Sequence, residues 1–185
     1  MKTSGMTEVL PLTKKQKCAC NVVMGVLLVV AGIILILAGA GVIKTPVRKI
    51  AAPTILFAFA AALLFSAIVA KNSLSMWIAG VLFSCGLASL LDVTTPATYA
   101  NLYPIYIAAP AVGCLAALIF SETKFALLKA ILFFGGFAAL FALQSSGTCG
   151  WGLTGGLLAA FGGVCVIAYG VDAYFLKKKK EGENA

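Results

Sequence analysis

Two ionisable side chains lie close to the ends of apolar segments, and they are the first candidates for chemistry. Lys129 lies just inside a segment at 125–143, and Asp172 lies near the end of another at 150–175. A charge at membrane depth is costly, so such residues commonly have a function. One interpretation is an ion pair at the membrane surface that fixes the hairpin of these two segments. The other is a gating pair or a proton-coupling carboxylate.

The other residue types argue against a catalytic centre. The chain contains no histidine, which excludes histidine metal sites, Ser-His-Asp catalysis and a histidine pH switch. No apolar segment contains a pair of carboxylates, and no glycine-rich loop has a phosphate-binding form. We therefore predict no catalytic residues, no cofactor and no metal, and we expect that the protein is not an enzyme.

The six cysteines do not form the pattern of a disulfide framework. Cys85, Cys114 and Cys165 fall inside apolar segments, where a thiol behaves as a small apolar side chain. Cys18-Ala-Cys20 near the N-terminus could take a lipid or ligate a metal. Two thiols without a further Cys or a His make an incomplete metal motif, however.

Six apolar segments carry these residues, and each is about the length needed to cross a bilayer. Roughly 20 helical residues span a hydrocarbon core of about 30 Å. Hydrophobic residues make up 62% of the chain, against roughly 45–50% in soluble domains. The segments are 21–43, 50–70, 74–91, 104–120, 125–143 and 150–175. The sequence predicts an all-α polytopic membrane protein with six transmembrane helices arranged as three hairpins.

A single membrane domain with short polar ends is the predicted organisation. Residues 1–20 form a cytoplasmic N-terminal segment, 21–175 the transmembrane domain and 176–185 a basic cytoplasmic tail. The sequence Ala38-Gly39-Ala40 also resembles a signal-peptide cleavage site after a basic segment. The apolar run is long for a signal peptide and continues to Ile43. Cleavage, which would leave five spans, stays open as the alternative.

The net charge of +8 is distributed like an orientation signal and not like a nucleic-acid surface. Lysines precede the first segment, and four more, at 177–180, directly follow the last. Basic loops favour the cytoplasm, so we predict that both termini are cytoplasmic. The loop with Lys44, Arg48 and Lys49 violates this rule, because the predicted topology places it outside. The partner that this composition implies is the lipid bilayer, and the terminal lysines could also attract anionic lipid.

Small residues four positions apart fall on one face of a helix and let two backbones approach closely. The two sets are Ala109, Gly113 and Ala117, and Gly152 and Gly156 followed by Gly163. We predict that both sets pack helices together within the chain. A homo-oligomer interface or a narrow glycine-lined pore is the alternative for either set.

The odd-numbered segments begin near residues 21, 74 and 125, which gives a spacing of about 50 residues and predicts an internal repeat of helical hairpins. Pro46 and Pro96 follow the first and third segments at the same phase. The fifth segment has no equivalent proline.

These hairpins, with the basic tail after Val171-Asp172-Ala-Tyr-Phe175, resemble the HdeD-type short-repeat membrane family. The resemblance covers residues 21–180 and includes Gly25-Val-Leu-Leu with Gly32 and Pro46. It implies six helices and, in enteric members, a part in acid stress. It implies no catalytic residues.

A second resemblance is to the acetate and succinate permease family. Phe83-Ser-Cys-Gly86 and the last segment, with Ala168, Gly170 and Asp172, are similar to it. The family signature Asn-Pro-Ala-Pro-Leu-Gly is replaced here by Asn21-Val-Val-Met-Gly25. We therefore expect a non-enzymatic membrane protein of the HdeD type with a role in stress. A channel or permease for a small solute such as a monocarboxylate is the alternative.

Overall fold

The structure is a computed structural model of the 185-residue chain. It describes residues 13–43, 45–95, 99–122 and 124–183, and for 99–100 and 171–183 it describes the backbone alone. All regular structure within these ranges is helical, which confirms the predicted all-α class. The helices are α1 (Lys14–Gly39), α2 (Val47–Ala70), α3 (Ser73–Thr94), α4 (Tyr99–Ala117), α5 (Lys124–Ser145) and α6 (Trp151–Glu183).

Five of these helices, all except α4, are long and apolar enough to cross a membrane. Their large apolar side chains are widely exposed, among them Ile36, Leu132 and Val166. An apolar surface all round a helix is typical of a segment that faces lipid. The chain therefore has the helices of a multi-pass membrane protein.

Helix α4 differs from the predicted span at 104–120. It begins earlier, at Tyr99, and ends earlier, at Ala117, and its shorter apolar part runs over 101–117. The chain then tightens into a turn in which the Phe120 N–H donates to the carbonyl of Ala117 over 3.2 Å. Such i→i+3 bonds commonly close a helix end.

Helix α1 begins seven residues before the first apolar segment at 21–43. A capping box starts α1 at Lys14. The Thr13 hydroxyl accepts from the Gln16 N–H at 3.3 Å, and the Thr13 N–H donates to Gln16 Oε1 at 2.9 Å. Because the box satisfies N–H groups that a helix end leaves open, the lysines at 14, 15 and 17 lie within the helix.

Helix α6 likewise continues through the predicted tail at 176–185, because its backbone is helical as far as Glu183. The lysines at 177–180 have high helix propensity, and no glycine or proline lies among residues 171–180 to interrupt the helix. The predicted change from span to tail is therefore one of polarity and not one of backbone conformation.

Helices α2 and α3 are antiparallel neighbours joined by a two-residue turn. Lys71 adopts the left-handed conformation, with φ 49° and ψ 39°, and its N–H donates to the Ala67 carbonyl. The side chain of Asn72 then caps α3 by accepting from the Leu74 N–H at 2.9 Å. This tight connection fixes which ends of the two helices lie together.

The residues up to Ala138 form one compact unit, within which α2 packs on α1 and α3, and α3 packs on α4. Packing therefore runs continuously from α1 to α4. The buried positions of this unit are mostly alanines: Ala58, Ala60, Ala62, Ala67, Ala79, Ala88, Ala109, Ala111 and Ala117. Small side chains inside and large apolar ones outside are the arrangement by which helices associate in lipid.

A second compact unit begins at Ala139 and contains the end of α5, the turn at 146–150 and α6. Gly147 takes a positive φ of 76° in the turn, a conformation in which glycine has no steric penalty. The Ser146 hydroxyl donates to the Leu143 carbonyl at 2.9 Å. Thr154 is almost fully buried, and its hydroxyl donates to the Gly150 carbonyl at 3.1 Å.

Candidate functional site

The best candidate site is a partly open cavity where the start of α2 meets the end of α3. Its volume is about 340 Å³. It is lined by two cations, one carboxylate, two hydroxyl groups and two small apolar side chains. These residues are Arg48, Lys49, Ala52, Ser89, Asp92, Val93 and Tyr106.

Three helices position the polar groups of the cavity. Arg48 and Lys49 occupy the first turn of α2, which begins directly after Pro46. Ser89 and Asp92 are one turn apart near the end of α3, so their side chains project from the same face. Tyr106 is contributed by α4. The charged groups are exposed, whereas Ser89 and Tyr106 are half-buried beneath them.

Two residues of the cavity lining form a hydrogen bond between two helices. The hydroxyl oxygens of Ser89 and Tyr106 are 3.1 Å apart, and either group can donate. The bond ties α3 to α4 within the cavity lining.

Each charged group is unfavourably placed in the dipole field of its own helix and favourably placed in that of the neighbouring helix. Arg48 and Lys49 lie at the positive N-terminal end of α2, and Asp92 lies near the negative C-terminal end of α3. In the antiparallel hairpin, Asp92 is next to the α2 N-terminus and the two cations are next to the α3 C-terminus. The arrangement stabilises the hairpin end and leaves one more cation than carboxylate in the cavity lining.

Sequence reasoning noticed the cationic loop but did not assemble this cavity. In the sequence, Arg48 and Lys49 stand out only as a violation of the charge rule, and no pattern joins them to Ser89, Asp92 or Tyr106. One signal was available. Only three residues, at 71–73, separate the second and third apolar segments, so α2 and α3 must be antiparallel, which brings residues near 48 beside residues near 92.

The predicted pair of Lys129 and Asp172 falls partly outside the described residues, so the structure does not test it. Lys129 is exposed, one turn into α5. The backbone of Asp172 belongs to α6, but its side chain lies outside the described residues. The ion pair and the proton-coupling role both stay predictions.

The small residues of α4 lie where α3 comes closest. A Cβ built on Gly113 would lie 2.7 Å from the carbonyl oxygen of Trp77 and 2.7 Å from a Val81 methyl group. A Cβ built on Gly80 would lie 2.9 Å from the Gly113 Cα. No real Cβ tolerates such distances, so both positions require glycine. Ala109 and Ala117 are each only 1% exposed.

The small residues of α6 have different surroundings. A Cβ on Gly152, Gly156 or Gly163 would meet no described atom within 4 Å outside its own stretch of helix. The structure therefore gives a packing reason for glycine in α4 but none for glycine in α6. The sequence pattern alone did not separate the two sets.

Two buried hydroxyl groups that could have lined a solute path bond to their own helices. Ser84 donates to the Gly80 carbonyl at 2.9 Å, and Thr154 donates to the Gly150 carbonyl. A hydroxyl that bonds four residues back is satisfied without water or solute. Among the described side chains, no buried nitrogen or oxygen atom lacks a hydrogen-bond partner.

All six cysteines are free thiols, and Cys114 is buried. Within the described part of the chain, no three His, Cys, Asp or Glu residues cluster closely enough to hold a metal ion. Cys18 is exposed and Cys20 half-buried near the start of α1. The structure adds no further ligand to the Cys18-Ala-Cys20 motif.

Comparisons of the chain with protein-family models, with characterised proteins and with solved structures find no match. The HdeD-type and permease resemblances therefore stay predictions that depend on the quoted residues. The site has to be interpreted from its own geometry.

Proposed function

We propose that this chain is a non-enzymatic multi-pass membrane protein of the HdeD type, with a structural role in membrane stress. The tight contact of α3 with α4 carries this proposal. Gly80 and Gly113 meet backbone to backbone, which leaves no room for a solute between the two helices at that level. A bundle closed in this way supports a structural role over conduction.

The hydroxyl groups within the bundle support the same conclusion. A solute path needs polar groups that can exchange partners with the solute. Ser84, buried in α3, has its hydroxyl bonded to the carbonyl of its own helix. The bonded Ser89–Tyr106 pair lines the cavity where the start of α2 meets the end of α3.

The proposed topology places both termini in the cytoplasm. The lysines that begin α1 and those at 177–180 support it, because basic residues next to a span favour the cytoplasmic side. The cavity beside Arg48 and Lys49 would then face outward. Asp92 lines the same cavity. Its negative charge would stabilise the two basic residues at this outer end, against the usual charge rule.

A permease for a small monocarboxylate is the second candidate, and the same cavity favours it. Two cations and two hydroxyl groups around about 340 Å³ could receive a carboxylate at the entrance of a path. Conduction would then require α3 and α4 to separate at Gly80 and Gly113.

Uptake by proteoliposomes separates the two functions. The purified chain is reconstituted, and the entry of labelled acetate and of labelled urea is followed at two pH values against protein-free vesicles. The structural role predicts equal, non-saturating entry with and without protein. Saturable uptake of either solute would replace the proposed function with the permease.

A further inference from the structure

No further inference is drawn: the strongest candidate, the thiols of Cys18 and Cys20 beside the lysines at the start of α1, consists of two single cysteines that lie on opposite sides of one helix because they are two positions apart, and no other feature of the described residues points to a ligand for either thiol.

Discussion

The glycines at 80 and 113 are the residues on which the packing of α3 and α4 depends. Each lies where the Cβ of any other residue would overlap the neighbouring helix. Alanine is the smallest possible change, and the obstacle at Gly113 is the Trp77 carbonyl, which belongs to the backbone and cannot rotate away. Adding one methyl group must therefore move a helix.

Gly113→Ala should lower the free energy of unfolding by about 1–3 kcal/mol, the usual cost of overpacking. The matched control is Gly135→Ala in α5, because a Cβ there meets no described atom within 4 Å. That change should be neutral or stabilising by up to about 1 kcal/mol, owing to the better helix propensity of alanine. Thermal unfolding in detergent measures both. Equal stability of the two variants would show that α3 and α4 do not pack as described.

The hydrogen bond of Ser89 with Tyr106 should contribute about 0.5–1.5 kcal/mol to stability. A double-mutant cycle of Ser89→Ala and Tyr106→Phe isolates that coupling from the other interactions of Tyr106. The control is Ser84→Ala, whose hydroxyl bonds to its own helix and should show no coupling to Tyr106→Phe. Additive effects of Ser89→Ala and Tyr106→Phe would exclude the bond.

At the scale of elements, the turn at Lys71 and Asn72 sets the geometry of the site. It makes α2 and α3 antiparallel, so the start of one lies beside the end of the other. The Asn72 side chain fixes the first turn of α3 by accepting from the Leu74 N–H. The turn is thus remote from the cavity and yet determines which residues line it.

Asn72→Ala should cost about 1 kcal/mol, the usual effect of removing a helix N-cap. Ser73→Ala, one residue along, is the control and should change stability little, because Ser73 begins α3 itself and is not its cap. Denaturant or thermal unfolding of the two variants compares them directly. A loss in Ser73→Ala as large as that in Asn72→Ala would argue against the cap.

Much of the helix number, class and pairing could be predicted from the sequence. The apolar runs predict the number and class of the helices, and the three residues between the segments 50–70 and 74–91 leave room only for an antiparallel pairing. The apolar segment at 21–43 does not mark the start of α1, because a capping box of polar residues begins the helix at Lys14. For α6, polarity changes at the lysines while the backbone stays helical.

The cavity could not be predicted because its residues are distant in the sequence and ordinary in type. Arg48 and Lys49 act together with Ser89 and Asp92 only once α2 and α3 are packed, and Tyr106 joins them from a third helix. The requirement for glycine at 113 likewise depends on the position of the Trp77 backbone. A small-residue pattern marks such positions but does not tell a packed face from an open one.

At the scale of the whole molecule, the proposed topology can be tested with native thiols. Cys149 lies in the turn before α6, and Cys18 lies near the start of α1. A membrane-impermeant maleimide added to intact cells should label Cys149 and leave Cys18 unlabelled until the membrane is opened. The reverse pattern would invert the topology and place the cavity on the cytoplasmic side.

The most direct test of a closed bundle is the reactivity of Cys114, which is buried in α4 next to Gly113. The chain in nanodiscs is treated with a small charged methanethiosulfonate reagent, and modified cysteines are located by mass spectrometry. We predict that Cys114 stays unmodified under conditions that fully modify Cys149, because the Cys114 side chain is buried in the bundle. Modification of both thiols at similar rates would contradict the closed bundle and favour a permease.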